Sequence, residues 1–481
     1  MPDENRHAFD VVSPVDGRTV AHRYHSPPSR IDEALGTAVR AQGDLRTLSL
    51  ETRQDLCRRL ILQLRAQEPE LSDEITWQIG RPRDFAGAEL NGVEERAAYM
   101  IDVAGQALAT RHHSHGATLT AELHAEAAGV IFAIVPWNYP FLTAVNSLVP
   151  ALVAGNAVIL KPSPLAPLSG ERLAAAAAAA GFPDGSVQAV HLANQDTLRV
   201  IRDRRVDHVV FTGSVEVGRL IGAEAGRSLT AVTLELGGND AAYVRPDADI
   251  AATAAALAEG AFFNSGQSCC AVERIFVARA VVGDFVDAFV SAKADWPLGD
   301  PFEAGTQLGP MVSAEAAARL RDMIDGAEAD GAIRLGPEPA TALPTPAYIP
   351  AHALLLEGTG HPALKQELFG PLACVVPVAS DDDAVARIND SDYGLTASIW
   401  TEDPDAAKRL GERLDVGTVY QNRCDYLDPC LAWSGRKDSG IGLSLSVLGY
   451  HQLTRPKSYH LRSTLRPPSA PVSQADAKAG S

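Results

Sequence analysis

The sequence of 481 residues predicts an α/β fold, because short apolar runs alternate with longer, proline-free stretches of helical character. Runs with the length and composition of buried strands lie at residues 130–135, 157–160, 206–211 and 373–378. Hydrophobic residues make up 46% of the chain and charged residues 21%, which is ordinary for a globular protein. The chain is long enough for two or three domains built around mostly parallel sheets.

The individual elements follow from local patterns in chain order. The first 108 residues or so are predicted to be mainly helical after an extended opening, and residues 48–67 carry apolar side chains at helical spacing. The alternating stretch between residues 117 and 127 predicts a hairpin. The alanine-rich stretch 173–180 predicts a helix that ends at Gly181. After Thr464 the chain is rich in Pro, Ala, Ser and Gly, so we expect a disordered tail at 464–481.

Composition and charge exclude several classes of partner. The net charge of −18 argues against binding to nucleic acid or to an anionic membrane, because both require basic surfaces. Neither a long apolar run nor an apolar start is present, so we expect no membrane span and no secretory leader. The six cysteines show no CxxC spacing, which favours a reducing compartment and no structural metal. We therefore predict a cytoplasmic protein.

The strongest chemical signal is the segment 262–270, which presents Cys269 and Cys270 after a polar stretch broken by Gly266. A thiol attacks as its thiolate, whereas an isolated buried cysteine is usually an inert small hydrophobe. The polar, turn-prone approach at 264–268 favours a reactive thiol, and Gly266 would let the backbone approach a bound group closely. Glu235 lies upstream as a candidate base. The segment therefore predicts nucleophilic catalysis by cysteine.

Six motifs in order resemble those of the aldehyde dehydrogenase superfamily over about residues 9–462: Pro136-Trp137-Asn138-Tyr139-Pro140, Lys161-Pro162-Ser163, Phe211-Thr212-Gly213-Ser214, Glu235-Leu236-Gly237-Gly238, Gly266-Gln267-Ser268-Cys269 and Glu367-Leu368-Phe369-Gly370-Pro371. Each motif is weak in isolation, but their shared order makes chance agreement improbable. The resemblance implies two doubly wound α/β domains, one for the cofactor and one for catalysis, with a small β oligomerisation element.

The resemblance also implies domain boundaries. Residues 1–108 and 128–236 would form the dinucleotide-binding domain, and residues 237–440 the catalytic domain. Residues 109–127 and 453–463 would supply oligomerisation strands, the last of them at 457–462. The protein would then be a homodimer or a homotetramer.

For catalysis, the resemblance implies that Cys269 is the nucleophile and that Cys270 serves in packing. The side-chain amide of Asn138 and the backbone N–H of Cys269 would hold the oxyanion. Glu235 would be the general base that activates water against the thioester. Without the family, Asn138 before an aromatic-proline turn could serve the turn, and Glu235 could be a helix-end cap.

The dinucleotide site lacks the G-x-G-x-x-G pattern, and residues 211–218 offer instead a strand, a Gly-Ser turn and a helix whose first amides can bind pyrophosphate. The resemblance implies that Lys161 contacts the adenosine ribose, Ser214 the phosphates and Glu367 the nicotinamide ribose, with Phe369 beside that ring. The cofactor-binding residues implied in this way are Pro136, Trp137, Lys161, Ser163, Thr212, Gly213, Ser214, Val217, Gly237, Glu367 and Phe369.

Departures from the family pattern affect the cofactor and the substrate. Pro164 stands where NAD-preferring members commonly carry a Glu that repels a 2′-phosphate, so both NAD and NADP are open. Trp433 replaces a Phe of the substrate tunnel, and Ser444 stands where many members have a second acid. Further polar or charged residues predict a polar substrate pocket, some of them in an insertion at 421–426: Thr143, Asn146, Arg423, Asp425 and Tyr426.

Together these features predict an NAD(P)-dependent, non-acylating enzyme that oxidises an aldehyde to the carboxylic acid through a thiohemiacetal and a thioester on Cys269. Two alternatives stay open. One is a CoA-acylating dehydrogenase, which Glu235 disfavours because a thiol acceptor needs no water-activating base. The other is a noncatalytic dinucleotide-binding scaffold. An aldehyde panel with nicotinamide reduction as the readout would distinguish all three.

Overall fold

The computed structural model describes residues 7–114, 119–337, 344–358 and 360–463. The predicted disorder at 464–481 lies outside these residues, as do positions 117 and 118 of the predicted hairpin. The fold class is α/β, as predicted. The strands are β1 (Ala8–Val12), β2 (Thr19–Tyr24), β3 (Arg111–Ser114), β4 (Leu119–Ala127), β5 (Val130–Ile134), β6 (Ala157–Lys161), β7 (Val187–Ala189), β8 (His208–Thr212), β9 (Ala231–Glu235), β10 (Asp240–Val244), β11 (Val272–Ala278), β12 (Ile333–Arg334), β13 (His352–Leu355), β14 (Leu372–Val378), β15 (Tyr393–Gly394), β16 (Thr396–Trp400), β17 (Thr418–Gln421), β18 (Arg436–Lys437), β19 (Gly440–Ile441) and β20 (Thr454–Arg462).

The α-helices alternate with these strands over most of the described chain. They are α1 (Pro28–Thr47), α2 (Leu50–Arg65), α3 (Glu68–Ile79), α4 (Arg83–Ala107), α5 (Leu142–Ala154), α6 (Pro167–Ala180), α7 (Asn194–Ile201), α8 (Val215–Ser228), α9 (Ile250–Phe262), α10 (Val282–Ala294), α11 (Ala314–Ala329), α12 (Asp381–Asn389), α13 (Pro404–Gly411) and α14 (Ser446–Gln452). Short 3-10 helices lie at Phe263–Gly266 and Pro362–Leu364.

The first large sheet has the strand order β19-β9-β8-β5-β6-β7 and is parallel except for β19. All five residues of β5 and of β6 are buried, as expected for a parallel sheet covered on both faces. In register, Ile134 lies opposite Lys161, and Thr212 lies opposite Glu235. The carboxyl ends of four strands therefore meet at one edge, where open α/β sheets bind ligands.

The second large sheet has the order β12-β13-β14-β11-β10-β16-β17, in which β12 is the antiparallel strand. Its inner strands are also fully buried. The four apolar runs singled out in the sequence correspond to β5, β6, β8 and β14, with ends shifted by one or two residues.

The amino-terminal part contains α1 to α4 after the β1–β2 hairpin, as predicted. Residues 48–67 contain α2, whose capping residue Ser49 accepts a hydrogen bond from the backbone N–H of Thr52 at 3.1 Å. The alanine-rich helix α6 ends at Gly181, which has a left-handed φ of 91°.

A three-stranded antiparallel sheet has the order β20-β4-β3. The predicted hairpin therefore differs in detail, since the alternating residues form the single strand β4 and its hairpin partner β3 precedes them. The predicted last strand at 457–462 belongs to β20, which pairs with β4 along its whole length. None of the helices that the structure describes is long and apolar enough to cross a membrane.

Candidate active site

The segment before the cysteine pair has an unusual backbone. Asn264 and Ser265 have φ values of 53° and 54°, and Gly266 follows at 66°. Left-handed conformations cost free energy in residues other than glycine and often occur at functional sites. A Cβ on Gly266 would lie 2.2 Å from the carbonyl oxygen of Gly370. The structure therefore shows a close approach of Gly266 to the chain's own backbone, and its approach to a bound group stays a prediction.

The side chain of Arg81 forms hydrogen bonds that hold this segment in place. Its guanidinium donates to Oδ1 of Asn264 at 2.8 Å and to the carbonyl oxygen of Asn138. It also forms a fully buried ion pair with Glu89, whose carboxylate accepts hydrogen bonds from two backbone N–H groups at the start of α5. Sequence reasoning missed both residues, because nothing in the Gly-Arg-Pro context of Arg81 points to a partner so distant in the chain.

Asn138 is buried against the cysteine segment. Its side-chain amide donates to the carbonyl oxygen of Gln267 at 3.0 Å, and Asn264 donates to the same oxygen at 3.1 Å. Gln267 is itself fixed by the backbone N–H of Val312, which donates to its Oε1 at 2.8 Å. A primary amide carries two N–H donors, so Asn138 keeps one that this bond does not use. The structure thus brings Asn138 to the segment that carries Cys269.

The two adjacent thiols have different surroundings. Cys269 is half-buried and lines a cavity, whereas Cys270 is buried. The thiol of Cys270 donates to Oδ1 of Asp425 at 2.9 Å, and the hydroxyl of Ser268 donates to the same oxygen at 3.2 Å. Contact with Cys269 and burial hold the pKa of Cys270 well above its ordinary value. Cys269 therefore has the accessibility that a nucleophile needs, and Cys270 does not.

Glu235 ends β9 directly opposite Thr212 of β8 and lines the same cavity as Cys269. Burial raises the pKa of its carboxyl group. The nearby hydroxyl of Ser444, the guanidinium of Arg96 and the hydroxyl of Thr212 lower this pKa in part. A carboxylate with a raised pKa is the stronger base.

The cavity shared by Cys269 and Glu235 has a volume of about 480 Å³. The buried Trp433 lies in its wall and exchanges backbone hydrogen bonds of 2.9 Å with Ser444. The polar residues predicted for the pocket all line it: Thr143, Asn146, Arg423, Asp425 and Tyr426.

Charged residues that sequence reasoning missed also line this cavity, namely Glu95, Arg96 and Glu259. For Arg96 a signal existed in the sequence. Val93, Ala97 and Met100 place the buried face of α4 at helical spacing, and Arg96 lies on that face. A charged residue among apolar positions is a candidate functional residue, because burying its charge is costly.

On the cofactor side, helix α8 begins directly after the Gly-Ser turn. The hydroxyl of Ser214 accepts a hydrogen bond from the backbone N–H of Val217 at 3.4 Å, and the N–H of Gly213 donates to the carbonyl of Glu235 at 3.0 Å. A Cβ on Gly213 would lie 2.5 Å from the ring of Phe211, so a larger residue at this position would displace the ring. The free amides of the helix start fit a pyrophosphate.

Lys161 ends β6 and is only 8% exposed. Its Nζ contacts the carbonyl oxygen of Pro162 at 3.4 Å, and it forms no ion pair with any carboxylate among the described residues. The Ser163 hydroxyl accepts a hydrogen bond from a backbone N–H two residues on. Pro164 and His25 line a small cleft together with Lys161. These groups fit the polar, sugar end of a nucleotide.

Glu367 lies where the two large sheets approach each other. Its carboxylate accepts a hydrogen bond from the backbone N–H of Gly238 at 3.1 Å, and a Cβ on Gly237 would lie 2.4 Å from its Oε2. Burial, and then the nearby Glu273, raise the pKa of Glu367 to about 8. Glu273 is a further residue that sequence reasoning missed, although a charge within the apolar strand β11 is a detectable signal.

An aromatic pair lies beside this carboxylate. The rings of Trp137 and Phe369 pack edge to face with centroids 5.6 Å apart and an interplanar angle of 80°. Glu273 holds the loop of Phe369 by accepting from its backbone N–H at 2.9 Å, and Phe369 has a left-handed φ of 47°. Pro136 follows β5 and precedes Trp137, and both are half-buried. A carboxyl group with adjacent aromatic rings fits a ribose with its planar base.

A metal site is not apparent in this part of the molecule. Within residues 7–114, 119–337, 344–358 and 360–463, no group of three or more His, Cys, Asp and Glu side chains is placed to hold a metal ion.

Comparison with known proteins identifies the relatives of this chain. The model of the aldehyde dehydrogenase family matches residues 1–459. A succinate semialdehyde dehydrogenase [NAD(P)+] of Escherichia coli is 31% identical over 450 residues, covering 93% of this chain and 96% of that protein. A 3,6-anhydro-α-L-galactose dehydrogenase of Streptomyces coelicolor is 31% identical over 471 residues, covering 96% and 94%. The crystal structure of PnpE in complex with nicotinamide adenine dinucleotide matches with a TM-score of 0.92 and 27% identity, covering 96% and 95%.

Proposed function

The chain belongs to the aldehyde dehydrogenase family and is an NAD(P)-dependent oxidoreductase that oxidises aldehydes, and within that activity we propose that Cys269 is the nucleophile. The observation that carries the proposal is the shared cavity, which presents the half-buried Cys269 together with the carboxyl group of Glu235. Asn138 is held beside the same segment by its hydrogen bond to Gln267. The product is the carboxylic acid.

The proposed reaction has two stages on this chain. In the first, the thiolate of Cys269 attacks the aldehyde carbon, and the resulting oxyanion accepts hydrogen bonds from the Asn138 amide and the Cys269 backbone N–H. A bound NAD(P) supplies the hydride acceptor. In the second, Glu235 takes a proton from the water that attacks the cysteine thioester, and the thiolate leaves as the carboxylic acid forms.

The proposed cofactor site follows the strand ends of the first sheet. Lys161 and Ser163 would bind the adenosine ribose, the turn of Gly213 and Ser214 the phosphates, and Glu367 the nicotinamide ribose. The remaining proposed contacts are Pro136, Trp137, Thr212, Val217, Gly237 and Phe369. Pro164 carries no charge against a 2′-phosphate, so this site would accept NADP as well as NAD.

Transfer of the acyl group to CoA is the less favoured alternative. A CoA thiol needs no general base to attack the thioester, whereas Glu235 lines the cavity beside Cys269. A noncatalytic scaffold is disfavoured by the same pair, because a scaffold does not require an accessible thiol beside a carboxyl group.

The domain organisation and assembly are also proposed from the fold. The strands of the first sheet support a dinucleotide-binding domain at 1–108 and 128–236, and those of the second a catalytic domain at 237–440. The short strand β19 joins the first sheet from beyond that boundary. Strands β3, β4 and β20 would assemble a cytoplasmic homodimer or homotetramer.

The test compares two single substitutions at adjacent thiols. Cys269→Ser is expected to lower aldehyde turnover by at least about 10³-fold while NAD(P) binding persists, because a serine hydroxyl is a far weaker nucleophile than a thiolate. Cys270→Ser is the matched control and should keep most activity, since a hydroxyl can still donate to Asp425. Initial rates of nicotinamide reduction and cofactor titrations provide the readouts. Loss of turnover in Cys270→Ser with activity kept in Cys269→Ser would refute the assignment.

A further inference from the structure

The substrate cavity contains a buried arginine that no carboxylate of the described residues contacts. Arg96 projects from α4 into the cavity wall and is only 8% exposed. Its guanidinium donates to Oδ1 of Asn146 at 3.1 Å, and Asn146 lines the same cavity. Arg96 forms no ion pair among the described residues. A guanidinium carries five N–H donors, so this bond leaves most of its donors available at the cavity wall.

The acidic groups around the cavity do not neutralise Arg96 by direct contact. Asp425 accepts hydrogen bonds from two other side chains of the cysteine segment. The charge of Arg96 lowers the pKa of Glu235, the proposed base, but the two groups form no ion pair. Glu95 and Glu259 are exposed at the mouth of the cavity. Arg96 therefore keeps a positive charge inside the cavity that no carboxylate of the described chain contacts.

Burial lowers the pKa of Arg96, but an arginine stays protonated at physiological pH because its ordinary pKa is far above neutrality. A buried cation without a partner is unfavourable unless an anion meets it, and such uncompensated charges mark ligand sites. The planar fork of a guanidinium suits a carboxylate, which it can bind through two parallel hydrogen bonds. Asn146 fixes the orientation of this fork by accepting from one of its N–H groups.

We propose that Arg96 binds a carboxylate group on the substrate, and that the preferred substrates are aldehydes with a carboxylate at the end remote from the aldehyde carbon. The inference rests on the proposed function, because it requires the aldehyde carbon to reach Cys269 in the same cavity.

A second, purely structural role for Arg96 would be to position Asn146. A third would be to stabilise the thiolate of Cys269 by its charge. Either of these roles would affect the oxidation of every aldehyde to the same degree, whereas carboxylate binding would affect only aldehydes that carry a carboxylate.

The experiment uses aldehydes matched in chain length with and without the charge. Succinate semialdehyde is compared with butanal, and 5-oxopentanoate with pentanal, with kcat/KM measured for each. The wild-type enzyme is expected to prefer the carboxylated member of at least one pair by about tenfold or more, as charge-assisted hydrogen bonds typically contribute. Arg96→Gln should lower kcat/KM for that member by about tenfold to a hundredfold, and for its neutral partner by less than about threefold.

Two further variants sharpen the result. Arg423→Gln removes a second positive charge that lines the cavity. Because Arg423 is exposed and its guanidinium lies 3.5 Å from the ring centre of Tyr426, the preference should fall far less than in Arg96→Gln. Arg96→Lys keeps the positive charge but lacks the planar guanidinium, so its kcat/KM for the carboxylated aldehyde should fall by an intermediate factor. Retained oxidation of the neutral aldehyde shows that each variant is folded, and Arg96→Lys serves if Arg96→Gln does not fold.

Several results would overturn the proposal. One is a wild-type enzyme without preference in either pair. Another is an Arg96→Gln variant whose kcat/KM falls equally for both members of a pair. The third is an Arg423→Gln variant that loses the preference as completely as Arg96→Gln does. Failure of the proposed function would look different, since Cys269→Ser would then retain turnover with neutral and carboxylated aldehydes alike.

Discussion

At the scale of single residues, the catalytic proposal depends on the difference between two neighbouring thiols. Cys269 lines the cavity, while Cys270 is buried and donates its hydrogen to Asp425. The sequence motif alone pointed to the first cysteine through resemblance. The hydrogen bond to Asp425 adds a physical reason, because a thiol that is buried and bound to a carboxylate resists ionisation.

Glu235→Gln tests the role of the carboxyl group. The amide cannot accept a proton, so hydrolysis of the thioester should slow by about 10²-fold or more while the first turnover continues. Stopped-flow recording should show a rapid burst of nicotinamide reduction followed by a slow steady state. A first turnover as slow as the steady state would assign Glu235 another task.

The pH dependence of the same step follows from the environment of Glu235. Burial raises the pKa of its carboxyl group above the ordinary value of about 4.3 for glutamate. As a general base it acts when ionised, so steady-state hydrolysis should increase with pH through this raised pKa. The Glu235→Gln variant should lose that dependence, which the pH profile of its slow phase will measure.

Pro164→Glu tests the cofactor choice. Pro164 and Lys161 line the same small cleft, and the lysine has no carboxylate partner among the described residues. We expect the wild type to use NADP as well as NAD. A carboxylate at position 164 should shift the ratio of specificity constants toward NAD by about 1 to 4 kcal/mol, through repulsion of the 2′-phosphate. A wild type that rejects NADP would show that another residue excludes the phosphate.

At the scale of elements, one arginine joins three segments that are far apart in sequence. Arg81 bonds to the cysteine segment, to the segment of Asn138 and to Glu89 of α4. Replacing one partner of a buried ion pair leaves an unpaired charge, so Arg81→Met should lower the free energy of unfolding by about 3 to 5 kcal/mol.

Arg83→Met is the matched control for this substitution. Arg83 pairs with Asp73 at the surface, with both side chains about half exposed. Loss of an exposed pair should cost about 0 to 1 kcal/mol. Urea unfolding of both variants measures the difference. Equal losses would show that the buried network does not stabilise the fold beyond an ordinary surface pair.

The sequence-based expectations were accurate where they depended on local patterns and incomplete where they depended on contacts between distant parts of the chain. Strands such as β5 and β6 could be predicted because burial on both faces leaves a continuous apolar run. Other contacts join residues that are remote in the chain, so no local sequence pattern predicts them. Examples are the hydrogen bonds of Arg81 and the one between Cys270 and Asp425. Arg96 lies between these cases. The sequence analysis missed it, although helical spacing would have placed it on a buried face, and no sequence pattern could show the cavity.

At the scale of the whole molecule, the candidate site lies where the two large sheets meet. Glu235 ends a strand of the first sheet, and Cys269 precedes β11 of the second. Trp137 and Phe369 pack across the same junction. Such a junction can combine a cofactor site at the strand ends of one sheet with a nucleophile supplied by the other, because clefts between packed units are common ligand sites.

The edge strand β20 bears on the proposed assembly of the whole molecule. β20 lies at the edge of its sheet, and Leu461 within it is 54% exposed. An exposed edge strand pairs readily with another chain, and the net charge of −18 opposes association that is not specific. Leu461→Asp should therefore weaken assembly by at least about tenfold, because it would bury a charge at the contact.

Leu62→Asp, at a similarly exposed position on α2, is the control. Light scattering across a dilution series should show dissociation of Leu461→Asp at concentrations where the wild type and Leu62→Asp stay oligomeric. An unchanged mass for Leu461→Asp, or a monomeric wild type, would remove β20 from the proposed interface.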